Sequence, residues 1–396
     1  MKTDVAPSVF DHSHVRMDLL RQRAFNLRWA SVEEGVIPLT AADPDFPCAP
    51  EISDAVARYV SDRYLSYAPA EGMLFFREAM ANYYTAVKGV PVEANAVMAC
   101  DSAAFGIMAV CKALLQKGDD AIVFNPVDFL FKHCVESVGA NAVLWDMPIT
   151  PDASPDFNQL EALISPNTKL ICLCNPLNPT GKVFTRQELE RIAIIAEKHN
   201  VMVLSDEIWS DIVFEPSTYV SMASIPAAER RTIVVTGFSK SYGLAGLRAG
   251  AILSPNALLL EMVLDASDQR STVHGCNVIA QVAATAALNE AQTWLADFKK
   301  HLHARRDFTV DALNALPGVR CQTPQGCYVA FADITGTGRT ASEIQEMWLQ
   351  EARVAVVPGL PRWFGSRADG HIRISFATSQ EILNQAFDRI THCMQS

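Results

Sequence analysis

The chain has 396 residues, 49% of them hydrophobic and 19% charged, so it exceeds one ordinary domain and can bury a sizeable core. Its formal net charge of −11 at pH 7 and pI near 5.3 argue against nucleic acid or an anionic membrane surface as the main partner, since both need a basic face. A mean hydropathy of +0.11 fits a compact protein with extensive buried surface. A small-molecule ligand is the expected partner.

Residues 1–20 mix Asp4, Asp11 and Asp18 with His12, His14 and Arg16 and lack the continuous apolar run of a secretory signal. No later stretch approaches the apolar length of a membrane span. The ten cysteines form no C-x-x-C pair and no metal-ligand spacing, and Cys172 and Cys174, two apart on a predicted strand, share a face. Reduced, buried thiols and a cytoplasmic setting are expected.

After Asn26 and Trp29 the chain runs through Ile37 to Phe46, a predicted strand and Pro-rich turn. Residues 51–64 have helical spacing. Tyr67 then stands in a turn, with Gly72, Leu74 and Arg77 after it; taken alone, such a tyrosine is an amphipathic surface plug. Val97 to Ser102 leads into a predicted helix over 103–115, so the N–H groups of Ala103 and Ala104 are available to a phosphate, and Ser102 reads as its N-cap. A strand at 121–125 is followed by Pro126, Asp128 and Phe129, where a helix capped by Asp128 is one reading.

Strands near 142–145 and 169–174 alternate with a helix near Leu160, as in a doubly wound sheet. The second ends in Asn175-Pro176-Leu177-Asn178-Pro179-Thr180-Gly181, by default a rigid turn. A helix over 186–200 precedes the apolar strand 201–206, closed by Asp206, a carboxylate that is expensive to bury unpaired. The β-branched run 232–236 reads as a covered parallel strand. Ser239 and Lys240 lie just past it, at the sheet edge where ligands bind. Lys240 can form a Schiff base with an aldehyde, and Arg248 can grip a phosphate. Beyond Gly250 a helical stretch is predicted to reach Arg270 and Gly275, and further helices to fill 278–313. Strands at 327–331 and 371–376, with helices at 342–352 and 382–393, then form a smaller α+β unit in which Arg373 points to one strand face.

The pattern Ser239-Lys240-x-x-Gly243-Leu244-x-Gly246-Leu247-Arg248-x-Gly250, with the Asn175–Gly181 run and Asp206, resembles the cofactor-lysine segment and companion motifs of fold-type I pyridoxal 5'-phosphate (PLP) enzymes, the aspartate aminotransferase superfamily. The resemblance extends from about Asn26 to Arg373. It implies an α/β fold: a mostly parallel, seven-stranded sheet with helices on both faces, plus a smaller α+β domain. The expected division is an N-terminal arm and part of the small domain at 1–50, a large PLP-binding domain at 51–290 and a small domain at 291–396.

The resemblance further implies that Lys240 carries PLP as a Schiff base and moves the Cα proton, and that Asp206 pairs with the pyridine nitrogen so the ring becomes an electron sink. Asn178 would donate to the cofactor's phenolic oxygen and border the substrate. Arg248, Ser239, Ser102, Ala103 and Ala104 would surround the phosphate, and Arg373 would grip the substrate α-carboxylate. Tyr67 would reach the phosphate of a neighbouring subunit, which implies a homodimer with shared sites.

Several positions depart from the family pattern. Ser102 stands where a glycine is usual. Asp128 stands where an aromatic ring is usual, leaving Phe129 as the stacking candidate. Trp209 replaces a common tyrosine and is either a donor to the phenolic oxygen or a packed core aromatic. Arg270 is either a partner-subunit ligand for a second substrate carboxylate or a helix-end arginine facing water.

The activity implied is an aminotransferase acting on an L-amino acid and a 2-oxo acid. Asn26, Trp29 and Ala42-Asp43-Pro44-Asp45-Phe46 are also similar to C–S β-lyases of the cystathionine β-lyase type, and the scaffold supports other eliminations, replacements and cyclisations. A non-catalytic regulator domain is the third alternative; the retained Lys240 and Asp206 and the lack of a basic DNA-binding segment disfavour it.

Overall fold

Short apolar runs, among them Val97–Cys100 and Leu170–Cys174, build the central sheet. In the computed structural model, which describes residues 9–395, the strands in chain order are β1 (Ile37–Pro38), β2 (Val97–Cys100), β3 (Asp120–Asn125), β4 (Asn141–Asp146), β5 (Thr168–Cys174), β6 (Met202–Asp206), β7 (Thr232–Gly237), β8 (Gly250–Leu253), β9 (Arg320–Cys321), β10 (Val329–Asp333), β11 (Val354–Ala355), β12 (Val357–Pro358) and β13 (His371–Ser375). The seven-stranded sheet has the order β2-β8-β7-β6-β5-β3-β4. Only β8 runs against its neighbours β2 and β7; the remaining pairs are parallel.

Helices cover both faces, so these strands read as unbroken apolar runs rather than alternating ones. Period-two geometry still sorts their side chains: Ile233 and Val235 enter one core while Val234, between them, enters the other. The first core is closed by helices Ala103–Leu114, Arg186–Lys198 and Ala257–Ala266, the second by Leu74–Tyr83 and Val278–Glu290.

A four-stranded antiparallel sheet, β12-β13-β10-β9, forms the C-terminal part, with helices Ala341–Gln350 and Gln380–Gln395. Strand β1 pairs in parallel with β11, so the N-terminal segment is tied to this part. All ten cysteines are free thiols, and all but Cys48 are buried. Among the described residues no helix is long and apolar enough to cross a membrane.

Three expectations are corrected. The stretch after Gly250 begins as strand β8 before the helix at Ala257–Ala266, and Arg270 lies in a turn. The strand expected at 327–331 starts at Val329, because Cys327 holds a left-handed φ of 64° that an extended strand cannot accommodate. The strand expected from Ile37 is only two residues long and continues as an irregular extended segment.

That segment is pinned by a buried ion pair. Arg28 Nη2 lies 2.5 Å from Asp45 Oδ1, the Trp29 indole N–H donates to the same oxygen at 2.7 Å, and Arg28 Nη1 donates to the Pro38 carbonyl at 2.6 Å. Removing one partner of such a pair leaves an uncompensated buried charge. Arg28→Ala is therefore expected to lower stability by about 3–5 kcal/mol, read as a fall in the denaturant midpoint. An unchanged midpoint would refute the anchoring role.

Candidate active site

The C-terminal ends of β5, β6 and β7 open on a cleft of about 340 Å³. Lys240 enters it from the turn after β7. Its Nζ donates to the Ala42 carbonyl at 2.6 Å, a carbonyl that also accepts the Tyr328 hydroxyl at 3.1 Å, and lies 5.3 Å from the centre of the Trp209 ring. Burial lowers the Lys240 pKa, against the opposing charge of Asp43, so the neutral, nucleophilic amine is more accessible than in a free lysine. Behind it, Ser241 Oγ donates to Asp211 Oδ2 at 2.8 Å, and Asp211 also pairs with Lys88 at 2.5 Å and accepts the Tyr83 hydroxyl.

Asp206 closes β6 and is buried. Its Oδ1 accepts the Ile208 N–H at 3.1 Å. Burial outweighs that hydrogen bond and lifts its pKa from 3.8 to about 7. A carboxylate in this condition calls for a cationic or N–H partner from the cleft.

Asn178 and Arg373 meet at the other side. Arg373 Nη1 donates to Asn178 Oδ1 at 3.1 Å and Nη2 to the Thr40 carbonyl at 3.1 Å, while its Nε is buried without a partner. The Asn178 amide in turn donates to Asp128 Oδ2 at 3.1 Å. Phe364 packs under the guanidinium, 5.0 Å from ring centre to Cζ.

The opposite end of the cleft is built for an anion. Ser102 caps helix Ala103–Leu114 with φ 95°, a backbone state that favours glycine. Its Oγ accepts the Phe105 N–H at 3.3 Å and Arg248 Nη2 at 2.8 Å. Across from it, a Cβ on Gly250 would stand 2.7 Å from the Ser102 carbonyl carbon and 3.0 Å from Ala103 N, so only glycine lets β8 approach the helix start. The free amides of Ala103 and Ala104, the helix dipole and Arg248 converge there. Ser239 lines the same cleft.

Phe129 sits at the rim, 45% exposed, with its ring edge-on to Trp363 at 5.8 Å. Asp128 accepts the Leu130 N–H at 3.2 Å at the start of helix Leu130–Ser137 and also faces the cleft. Two expected residues do not line the cleft of their own chain. Tyr67 is 86% exposed, its ring 5.6 Å from that of His274. Arg270 is spent on Glu261 and Asp265 at the surface.

Sequence reasoning missed the backbone acceptors Thr40 and Ala42, the Trp363–Phe364 wall and the Lys88–Asp211–Ser241 group. No side-chain motif signals a carbonyl acceptor. Asp211 had one signal, an acid that with Ser210 interrupts the otherwise apolar run Ile208 to Phe214.

A family model described as aminotransferase class I and II matches residues 34–390. The chain is 31% identical over 368 residues to an aspartate aminotransferase of Pyrococcus horikoshii, covering 92% of each chain. It superposes on the aspartate aminotransferase of Thermus thermophilus with maleate at a TM-score of 0.85 and 27% identity, covering 98% of this chain and 97% of that one. A PLP-bound protein of Clostridium difficile 630 described as an aminotransferase gives a TM-score of 0.86 at 25% identity, over 94% and 97% of the two chains.

The raised pKa of Asp206 has a sign that can be measured without cofactor. Between pH 4 and 7 the folded state keeps a proton that the unfolded state has released, so this group makes stability fall as pH rises through that window. Cofactor-free Asp206→Asn should therefore gain on the wild type by about 3 kcal/mol between pH 5 and pH 8, measured as the difference in urea denaturation. A difference that does not change with pH would contradict the assignment.

Proposed function

The chain belongs to the class I and II aminotransferases, PLP-dependent enzymes acting on amino acids and oxo acids, and on that premise we propose that Lys240, Asp206, Asn178, Arg248 and Arg373 carry its reaction. The observation that supports this best is the placement of two groups at adjacent strand ends in one cleft: Lys240, an amine of lowered pKa, and Asp206, a carboxylate whose pKa burial lifts to about 7.

The residues fit PLP. Asp206 offers the acceptor a protonated pyridine nitrogen requires, and the Ser102–Ala104 helix start with Arg248 and Ser239 offers the phosphate site. Bound there, PLP supplies an electron sink for the electrons released at the substrate's Cα.

Lys240 Nζ holds the cofactor and then takes the proton from Cα, a role its lowered pKa favours. Arg373 binds the α-carboxylate, for which each Nη keeps one N–H beyond those given to Asn178 and Thr40. Asn178 keeps a second amide proton for the cofactor's phenolic oxygen, its first being held by Asp128. Trp209 and Phe129 line the cleft and would border the ring. Trp29 and Asp45, which the C–S lyases share, are spent on each other and on Arg28, so they support the fold and do not argue for elimination.

We assign the protein to the cytoplasm as a homodimer. Tyr64, Leu65 and Tyr67 are 81%, 62% and 86% exposed in one short segment, an apolar and aromatic run suited to an interface. Tyr67 then serves the partner's phosphate site, and Arg270 lies at the same boundary.

Lys240→Ala should abolish borohydride-fixed attachment of cofactor and lower turnover by several orders of magnitude, as both nucleophile and proton carrier are lost. Cofactor still fixed by borohydride in that variant would exclude Lys240. For the shared site, Lys240→Ala and Tyr67→Ala homodimers should each be impaired, whereas subunits of the two mixed and re-equilibrated should regain activity at the one intact site per mixed dimer. No regain would show that Tyr67 acts in its own chain or not at all.

A further inference from the structure

Among the described residues the cleft is lined by the cations Lys240, Arg248 and Arg373 and by the acids Asp206 and Asp128. In the assignment above the first four each have a counterpart: cofactor aldehyde, phosphate, α-carboxylate and ring nitrogen. Asp128 has none. Its Oδ1 takes the Leu130 N–H at 3.2 Å and its Oδ2 the Asn178 amide at 3.1 Å, which fixes the carboxylate while each oxygen keeps a lone pair for a ligand. The same Asn178 amide accepts Arg373 Nη1 at 3.1 Å through its oxygen. A substrate held by its α-carboxylate on Arg373 is therefore one amide away from Asp128.

An independent observation removes the competing demand on the site. Arg270, the guanidinium that would receive a second substrate carboxylate, lies 2.6 Å from Asp265 and 3.9 Å from Glu71, and pairs with both oxygens of Glu261. With three carboxylates around it, it has no charge to spare. With the assigned groups bound, Asp128 is the one charged lining residue, among those described, that is left without a counterpart.

We propose that the amino-acid substrate has a side chain ending in a cation, an amine or a guanidinium, and that Asp128 is the specificity-determining residue that receives it. This rests on the aminotransferase reading with Arg373 at the α-carboxylate. A dicarboxylic substrate would set a second negative charge against Asp128, a repulsive element of the kind that sets specificity. A neutral side chain would leave the carboxylate desolvated with only its two neutral donors when the site is filled. A cationic one completes it with a charge-assisted hydrogen bond.

The test uses the holoenzyme and two readouts. Half-reactions with lysine, ornithine, arginine, alanine, phenylalanine, aspartate and glutamate are followed by cofactor absorbance. Binding of α-methyl-lysine and α-methyl-aspartate, which lack the Cα proton and are not turned over, is measured by calorimetry. Basic ligands should be preferred over acidic ones on the order of 100-fold in both, and Asp128→Asn should lower the lysine-to-alanine ratio of kcat/KM by a similar factor. Preference for an acidic or aromatic amino acid would overturn the proposal, as would an Asp128→Asn loss equal for all substrates, which would leave Asp128 only orienting Asn178. A wild type that converts no amino acid at all would overturn the aminotransferase assignment itself, an outcome distinct from conversion with the wrong preference.

Discussion

One extended segment, residues 38–42, supplies neutral acceptors to the cations around the cleft. The Pro38 carbonyl takes Arg28, the Thr40 carbonyl takes Arg373 and the Ala42 carbonyl takes Lys240. Alternate carbonyls of an extended chain point to the same side, which aligns those of Pro38 and Thr40, and the bend at Ala41 and Ala42 turns the third toward Lys240. The other edge is occupied: the Leu39 N–H donates to the Ala355 carbonyl at 2.8 Å, and the Leu39 carbonyl accepts the Ser375 N–H at 2.9 Å. A carbonyl row steadies Lys240 and Arg373 without an ion pair, which leaves both available to the cleft and leaves the Lys240 pKa lowered by burial. Had carboxylates stood there instead, each cation would be locked in an ion pair and its pKa raised.

The same economy of charge holds the strand end beneath. Asp206 and Glu207 are consecutive, so they turn to opposite sides of β6. Glu207 faces the core, where Ser205 and Ser221 donate to its Oε1 at 3.0 and 2.7 Å. That satisfied network is rigid, and it keeps Asp206 as the carboxylate presented to the cleft. The Lys88–Asp211–Ser241 group does the equivalent for the turn that carries Lys240. Two buried networks therefore fix the two groups whose spacing the chemistry needs, from the side that ligands never reach.

Much of this was legible because polar residues in or just after apolar strands are conspicuous: Asp206 closes one, Asn178 and Lys240 lie in the turns after β5 and β7, and Arg373 interrupts β13 of the smaller sheet, which brings it to the same cleft. What was not legible depends on backbone or on distant neighbours. Strand β8 is four residues long and was hidden by the helix after it. The left-handed φ values of Ser102 and Cys327 are invisible in residue types that seldom adopt them. The carbonyls of Thr40 and Ala42 leave no trace in side-chain patterns. Asp128 was visible as a departure from an aromatic position, yet only its bond to Asn178 shows that it joins the Arg373 group.

Asp128 also lies where the two halves of the cleft are laced together. On either side of it, the Val127 N–H donates to the Phe364 carbonyl at 3.0 Å and the Phe129 N–H to the Trp363 carbonyl at 2.9 Å, while Asn125 holds Ser366 and Arg367. These bonds join the segment that carries Asp128 to the Trp363–Phe364 wall, and they are buried with Asn125, Val127 and Phe364. The Asn178 amide joins Asp128 to Arg373, so the position of the carboxylate is set from both sides of the cleft before any ligand arrives, which is the preorganisation that selective binding of a charged side chain requires.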